Sequence, residues 1–585
     1  MSENKSLDLK LLGRVLGLTR KYKHIFIGCI ALAIVLAPIS VLRPYLISQM
    51  VDENILVGDI DGLTKNAIIY VGVILVTIVL RYLFIYNSAL LGQSTIKDLR
   101  VRVFDHITSL RLRYFDQTPI GTSTTRTIND VESVNRVFTE GAITIVADVL
   151  TIFAVIGMMF YDSWRLTLIA LATMPLIIIA SYIFKEKVKK SYQEVRAQIS
   201  KMNAFLQERI TGMRIIQIFN AEKEEMNAFR KINRSYTQSY LDSILYYAIF
   251  FPVVELISSL GLALMVWWGA NGYLDGKVTF GALVAFPIYL NLLFRPIRMI
   301  ADHFNTLQMG LIAAERVFVI LDNDEKIKDY GTLEVDKVEG SVKFDHVSFA
   351  YDDVNYVLND INFEIKPGET LAIVGSTGSG KSTVINILSR FYEVQKGQIL
   401  LDDVDIKKYT LDTLRQRISV VLQDVFLFDG TVMENITQLD PNISEEVVIE
   451  SSKAIGAHEF ITALPGGYQF KITERGGNLS VGQRQLISFV RALVYDPDIL
   501  ILDEATSSID TETEAIIQYA IEKLIAKRTS IIIAHRLSTI RNANNILVLS
   551  KGNIMEHGPH DELLQIENGH YKQLHDMQFE NVVMG

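Results

Sequence analysis

The sequence predicts a multidomain membrane protein: a six-helix transmembrane domain with long cytoplasmic helical extensions, followed by an α/β P-loop domain. Three observations carry this expectation. Mean hydropathy over the 585 residues is +0.24, high for a soluble chain of this length. The apolar residues crowd into long runs between residues 24 and 293. Residues 339–585 alternate short apolar strands with helices and carry one glycine-rich loop.

The runs are 24–47, 67–91, 143–161, 166–184, 244–268 and 280–293. Each lies near the ~20 residues that a bilayer core demands of a helix. Before the first run, Leu7, Leu11, Leu12, Val15 and Leu16 oppose Lys10, Arg14 and Arg20, the pattern of a helix lying in the membrane surface. The expected organisation is an interfacial elbow helix at 1–23, a transmembrane domain at 24–321, a polar acidic linker at 322–338 and an α/β domain at 339–585.

Basic residues set the orientation. Between runs two and three lie Lys97, Arg100, Arg102, Arg111, Arg113, Arg126 and Arg136, and twelve more Lys and Arg lie between Lys185 and Arg234. These two segments are expected to face the cytoplasm, with both termini on the same side, in the cell (inner) membrane. Both keep helical periodicity, as in Leu99, Val103, His106, Ile107 and Leu110. They read as helices continuing out of the bilayer and reversing at Thr118-Pro119-Ile120-Gly121 and Thr211-Gly212-Met213, because structureless loops of such length are uncommon.

The net charge of −9, from 57 basic and 66 acidic residues, gives no electrostatic footprint for nucleic acid. One cysteine, Cys29, excludes an internal disulfide and a Cys-based zinc site.

In the polar half, apolar strands at 371–374, 418–422, 499–502 and 530–534 predict a mostly parallel, buried sheet. The first runs into Gly375-Ser376-Thr377-Gly378-Ser379-Gly380-Lys381-Ser382-Thr383, which is G-x-x-x-x-G-K-[ST] with a strand before it and a helix after. Glycines let backbone N–H groups curl around phosphate oxygens, and the helix start adds positive potential. Lys381 is placed to reach the β- and γ-phosphates, and the Ser382 hydroxyl to ligate Mg²⁺. The strand at 499–502 ends in Asp503-Glu504. Side chains alternate along a strand, so the two carboxylates serve different roles: Asp503 suits the Mg²⁺ shell and Glu504 the attacking water.

With these residues in place, the chain resembles the ATP-binding cassette exporters in their half-transporter layout, similar to multidrug exporters and lipid A flippases. The string Leu479-Ser480-Val481-Gly482-Gln483 resembles the family signature, usually LSGGQ, with Val481 departing at the third position. The resemblance implies that the α/β domain is an ABC ATPase domain using ATP and Mg²⁺. It implies that Ser480, Gly482 and Gln483 face ATP across a dimer interface and that Tyr351 stacks on adenine. It further implies that Gln423 contacts Mg²⁺ and water, that Asp510 lies in the loop linking two ATP sites, and that His535 holds the γ-phosphate. Glu474-Arg475-Gly476 resembles the exporter-specific loop. Residues from Tyr114-Phe115-Asp116 to Asn129-Asp130, and Gln207 to Gly212, resemble the two coupling segments.

Ionisable residues within spans are costly and mark function. Arg81, Asp148, Glu255, Arg295 and Arg298 are therefore the substrate candidates, with internal pairs (Asp148 with Arg81, Glu255 with Arg295) as the alternative. Asp148 stands where the resemblance to lipid A flippases implies a basic residue. Mixed charge beside Tyr82, Phe84, Tyr246, Phe250, Phe251 and Tyr289 suits an amphipathic drug or lipid. The resemblance as a whole implies ATP-driven export or flipping by alternating access in a dimer. A homodimer is favoured; a lipid A flippase and the competent half of a heterodimer are the alternatives, and an ATP-gated channel the least favoured.

Overall fold

The computed structural model describes residues 8–326, 329–503, 511–526, 528–533 and 537–579. It divides into two compact units. One comprises residues 1–108 and 120–323, the other 109–119 and 324–585.

The first unit is helical. Asp8 caps the short helix Leu9–Gly17 by accepting from Lys10 N and Leu11 N, at 2.9 and 3.0 Å. The helix contributes its apolar face, with Val15 fully buried, to a core cluster that also holds Ile96, Leu99, Phe138, Leu311 and Val317. The long helices that follow are Lys23–Gln49, Ile60–Thr108, Ala142–Ala172, Met174–Thr211, Glu222–Leu274 and Phe280–Leu321. At 1.5 Å per residue the 49-residue Ile60–Thr108 runs about 74 Å, far beyond a ~30 Å hydrocarbon core. Helices of this length continue out of the bilayer, as their sequence periodicity predicts.

Among the described residues, five helical stretches are long and apolar enough to cross a membrane. One of them, Ile120–Thr211, contains two of the predicted runs. Those runs are separated at Ser163, whose φ of −159° and ψ of 106° leave the helical region. The second tip falls where turn chemistry places it: Met174–Thr211 ends, Gly212 N donates to Glu208 O at 2.9 Å, and a new helix starts at Met213.

Two kinds of packing hold this unit. Met174–Thr211 lies along Glu222–Leu274, with Phe184 stacked on Phe250 at 3.9 Å and Arg209 bonded to Glu225 at 2.6 Å. Elsewhere small residues bring helices close. A Cβ on Gly310 would meet Val137 Cγ2 at 2.3 Å and Ser133 O at 3.0 Å, so Phe280–Leu321 approaches residues 131–141 to backbone distance.

The second unit is α/β. A four-stranded antiparallel sheet has the order β2-β1-β4-β5 (Tyr356–Ile365, Val342–Ala350, Lys396–Leu401, Val404–Asp405). A six-stranded sheet has the order β12-β11-β3-β10-β9-β6 (Asn553–Gly558, Asn545–Ser550, Thr370–Val374, Thr529–Ile533, Ile499–Asp503, Ile418–Val421). Five of the six are parallel and only the edge strand β12 runs antiparallel. Every residue of β3 and β10 is buried, which is why these strands read as unbroken apolar runs. A short ribbon joins β7 (Gly430–Thr431) to β8 (Lys471–Ile472).

Candidate active site

Ligands in open α/β sheets bind beyond the carboxyl ends of the strands. Register fixes which residues meet there. Ile533 of β10 is opposite both Ile373 of β3 and Asp503 of β9, and Leu502 of β9 is opposite Val421 of β6. The strands leading to the glycine loop, to Asp503 and to Gln423 therefore end along one edge of one sheet. β10, the strand leading toward His535, ends in the same row. Glu504, Asp510 and His535 themselves lie outside the described residues.

The loop after β3 has the backbone a phosphate cradle needs. Gly375 has φ 156°, and a Cβ there would strike Leu549 O at 2.2 Å. Gly380 caps the helix Lys381–Leu388 at φ 107°, where a Cβ would meet Leu358 Cδ2 at 2.6 Å. Only glycine fits either position. Lys381 opens the helix and folds back over the loop, its Nζ donating to Gly375 O at 2.8 Å and Ser376 O at 3.1 Å. Burial pushes the Lys381 ammonium below its ordinary range, and the nearby Asp503 carboxylate opposes that shift. Ser379 is buried, and among the described residues its hydroxyl has no hydrogen-bond partner. The carbonyl-capped lysine, the adjacent Ser382 and the carboxylate at the end of β9 form a donor set that fits a triphosphate with a divalent cation.

Tyr351 lies just past β1. Its hydroxyl donates to Thr383 Oγ1 and accepts from Asn386 Nδ2, both at 3.2 Å, so the ring is tied to the phosphate-loop helix. Phe349 and Tyr392 meet it edge-on, at 4.9 and 5.0 Å. Tyr392 had no sequence signal beyond being one aromatic after the phosphate-loop helix, and the sequence reading passed over it.

The signature string sits on a different element. Ser480 is the N-cap of Val481–Val494 and forms a reciprocal capping box with Gln483. Gln483 N donates to Ser480 Oγ at 3.2 Å, and Ser480 N to Gln483 Oε1 at 3.0 Å. Gly482 is buried and Val481 is 45% exposed. The loop before it is strained: Arg475 has φ 58°, and its N–H donates to Leu427 O at 3.1 Å. Gln423 is exposed, next to a cavity of about 370 Å³ lined in part by Leu422, Val425, Phe426, Arg491 and Tyr495.

Of the membrane candidates, Asp148 and Arg295 lie near enough to each other to interact electrostatically. Arg81, Glu255 and Arg295 are exposed in the single chain. Arg298 falls within Phe280–Leu321, and its side chain is outside the described residues. Among the described residues, neither expected pair forms: Asp148 makes no ion pair with Arg81, nor Glu255 with Arg295. The Asp148 carboxylate lies 3.4 Å from His303 Nε2. His303 was missed because a lone histidine near the end of a span gives no pattern.

Comparison with known proteins agrees with this geometry. Residues 25–297 match the family model of the ABC transporter transmembrane region, and residues 358–507 that of the ABC transporter. The chain is 42% identical over 494 residues to "Uncharacterized ABC transporter ATP-binding protein YknV" of Bacillus subtilis, covering 84% of this chain and 82% of the relative. It is 38% identical over 527 residues to "Probable multidrug resistance ABC transporter ATP-binding/permease protein YheH" of the same organism, covering 89% and 77%. It is 37% identical over 496 residues to the "ATP-dependent lipid A-core flippase" of Syntrophus aciditrophicus, covering 85% and 82%. The chain belongs to the ABC transporter family, as a type IV exporter half-transporter. It is a multi-pass membrane protein that binds ATP, couples its hydrolysis to export and works as a dimer.

Proposed function

We propose that two copies of this chain export or flip an amphipathic drug or lipid across the cytoplasmic membrane by alternating access, with the ATPase domains in the cytoplasm. The observation that carries the ATP half of this reading is the convergence of β3, β9 and β6 on one sheet edge beside the glycine loop. In this reading the transmembrane domain spans 24–321 and the nucleotide-binding domain 339–585, joined by the 322–338 linker.

Each ATP is bound by the phosphate loop of one copy, Gly375 to Thr383, and by Ser480 and Gly482 of the other. Tyr351 takes the adenine face. Ser382, Asp503 and Gln423 hold Mg²⁺, which neutralises charge on the phosphate oxygens when bound. Lys381 leaves its loop carbonyls for the phosphates, His535 steadies the γ-phosphate, and Glu504 orients and activates the attacking water. Switching a pump from 1:99 to 99:1 closed takes ~5.5 kcal/mol of differential affinity. Two sites with charge-assisted hydrogen bonds, each worth ~1.5–3 kcal/mol, cover that.

The names of the relatives point to two cargo classes. The carboxylate of Asp148, held beside His303, is a poor lining for a phosphorylated saccharolipid and favours an amphipath of mixed or positive charge. The test is the Glu504→Gln variant. It is expected to bind ATP, to hydrolyse it at least a hundredfold more slowly than wild type, and to accumulate as a closed dimer. Wild-type turnover in that variant would remove Glu504 from its role.

A further inference from the structure

Residues 109–119 follow the long helix Ile60–Thr108 in the chain, yet they pack within the nucleotide-binding unit. Three anchors hold them there. Leu110 bridges to Lys326, while Arg111 donates from its N–H to Glu325 O and from Nε to Lys326 O, each at 3.0 Å. Arg113 Nη1 donates to Asp353 Oδ2 at 3.1 Å. Asp116 accepts a hydrogen bond from the Tyr392 hydroxyl.

Two of the three anchors end around Tyr351. The other oxygen of Asp353 accepts from Gln395 Nε2 at 3.1 Å. That same amide clamps Ala350, accepting from its N–H at 3.0 Å and donating to its carbonyl at 2.7 Å. Ala350 is the residue before Tyr351. Tyr392 is more direct still. Its ring meets the Tyr351 ring edge-on, at 5.0 Å and 88°. One phenol thus braces the ring of Tyr351 and bonds the 109–119 segment.

We propose that Tyr392 is a positioning residue through which the 109–119 segment senses a nucleobase on Tyr351. The inference rests on the reading of Tyr351 as the adenine-stacking residue. A base resting on the Tyr351 face fixes the plane of that ring. The edge of Tyr392 must then match it, because edge-to-face pairs are directional. The hydroxyl carries the match to Asp116 as a phenol-to-carboxylate bond, a strong and directional kind. Burial, together with the bond to Asp116, pushes the Tyr392 phenol above its ordinary range, so it stays a donor at physiological pH. Coupling of this kind is reciprocal: a displacement of 109–119 must alter nucleotide affinity by the same factor.

The experiment uses the full chain in lipid nanodiscs, with a non-hydrolysable ATP analogue as the probe. Hydrogen exchange of residues 109–119 and the dissociation constant of the analogue are measured together. In wild type, the analogue is expected to slow exchange across 109–119. Tyr392→Phe keeps the ring and loses the hydroxyl. It is expected to lose at least half of that protection and to lose affinity for the analogue by no more than the same factor. Asp116→Ala should behave the same way, and the double variant should be no worse than either single one, as members of one link are non-additive. Undiminished protection in Tyr392→Phe would overturn the proposal, as would no protection in wild type or a loss of affinity in Tyr392→Phe that exceeds the factor by which protection falls. Tyr351→Ala separates the two readings. A tenfold or greater loss of affinity there supports base stacking, so that a failure of Tyr392→Phe would condemn only the link. Unchanged affinity in Tyr351→Ala would overturn the stacking role and the proposal with it.

Discussion

At the scale of single residues, the nucleotide site divides into groups that hold phosphate and groups that hold shape. Lys381 does the first: its Nζ already lies over the loop carbonyls, ready to exchange them for phosphate oxygens. Lys381→Ala should abolish ATPase activity and weaken nucleotide binding at least tenfold, measured by steady-state hydrolysis and by equilibrium binding. Ser480 does both. It caps its helix, and in the proposed dimer it contacts the γ-phosphate of the other copy. Ser480→Ala should cost about 1 kcal/mol of stability through the lost cap, seen as a lower Tm. Ser480→Thr should restore the Tm, because threonine also caps. Most of these residues were legible because a phosphate cradle demands glycine, lysine and a hydroxyl at fixed spacing. Tyr392 and His303 were not, because their roles come from partners distant in sequence, Asp116 and Asp148.

At the scale of elements, the elbow helix is tied to the end of the last long helix. Arg14 forms a two-pronged bond to Asp322, at 2.6 and 2.5 Å, and its guanidinium lies 3.9 Å from the Phe318 ring centroid. Both partners are about half exposed, so the ion pair contributes less than ~1 kcal/mol. Its titration has a definite sign. The hydrogen bond from Arg14 holds the Asp322 carboxyl below its ordinary range, so the contribution is full above the unfolded value near ~4. It is lost as pH falls through the lower folded value. Arg14→Ala should therefore speed hydrogen exchange of residues 9–17 at pH 7. High salt should narrow the difference from wild type. The amphipathic pattern announced this helix, whereas nothing in the sequence paired residue 14 with residue 322. Long helices were legible by periodicity and length. Their breaks were legible where turn residues or a polar gap mark them: Gly212 marks the second tip, and the gap between the runs 143–161 and 166–184 holds Ser163, which leaves the helical region.

At the scale of the molecule, the single chain leaves membrane helices uncovered. None of the most apolar window of Ile60–Thr108 is buried, against half of that in Phe280–Leu321. Ile68, Leu75, Ile78, Val79 and Tyr82 all point outward. The pair Met174–Thr211 and Glu222–Leu274 packs chiefly on itself. Lipid can cover such faces, and so can the same helices of a second copy. The architecture was legible because spans, basic connections and an α/β half each leave a compositional trace. The cargo was not, because charges scattered over several spans do not fix what they face until the helices are assembled.

The central claim is that ATP is held between the phosphate loop of one copy and the signature of another. Differently tagged Lys381→Ala and Ser480→Ala chains, co-expressed and purified through both tags, test it most directly. Each variant alone lacks any intact site, but the mixed dimer regains one, formed by the intact loop of the Ser480→Ala copy and the intact signature of the Lys381→Ala copy. The account predicts that the doubly purified dimer hydrolyses ATP well above either variant alone. A mixed dimer as inactive as its parents would contradict it.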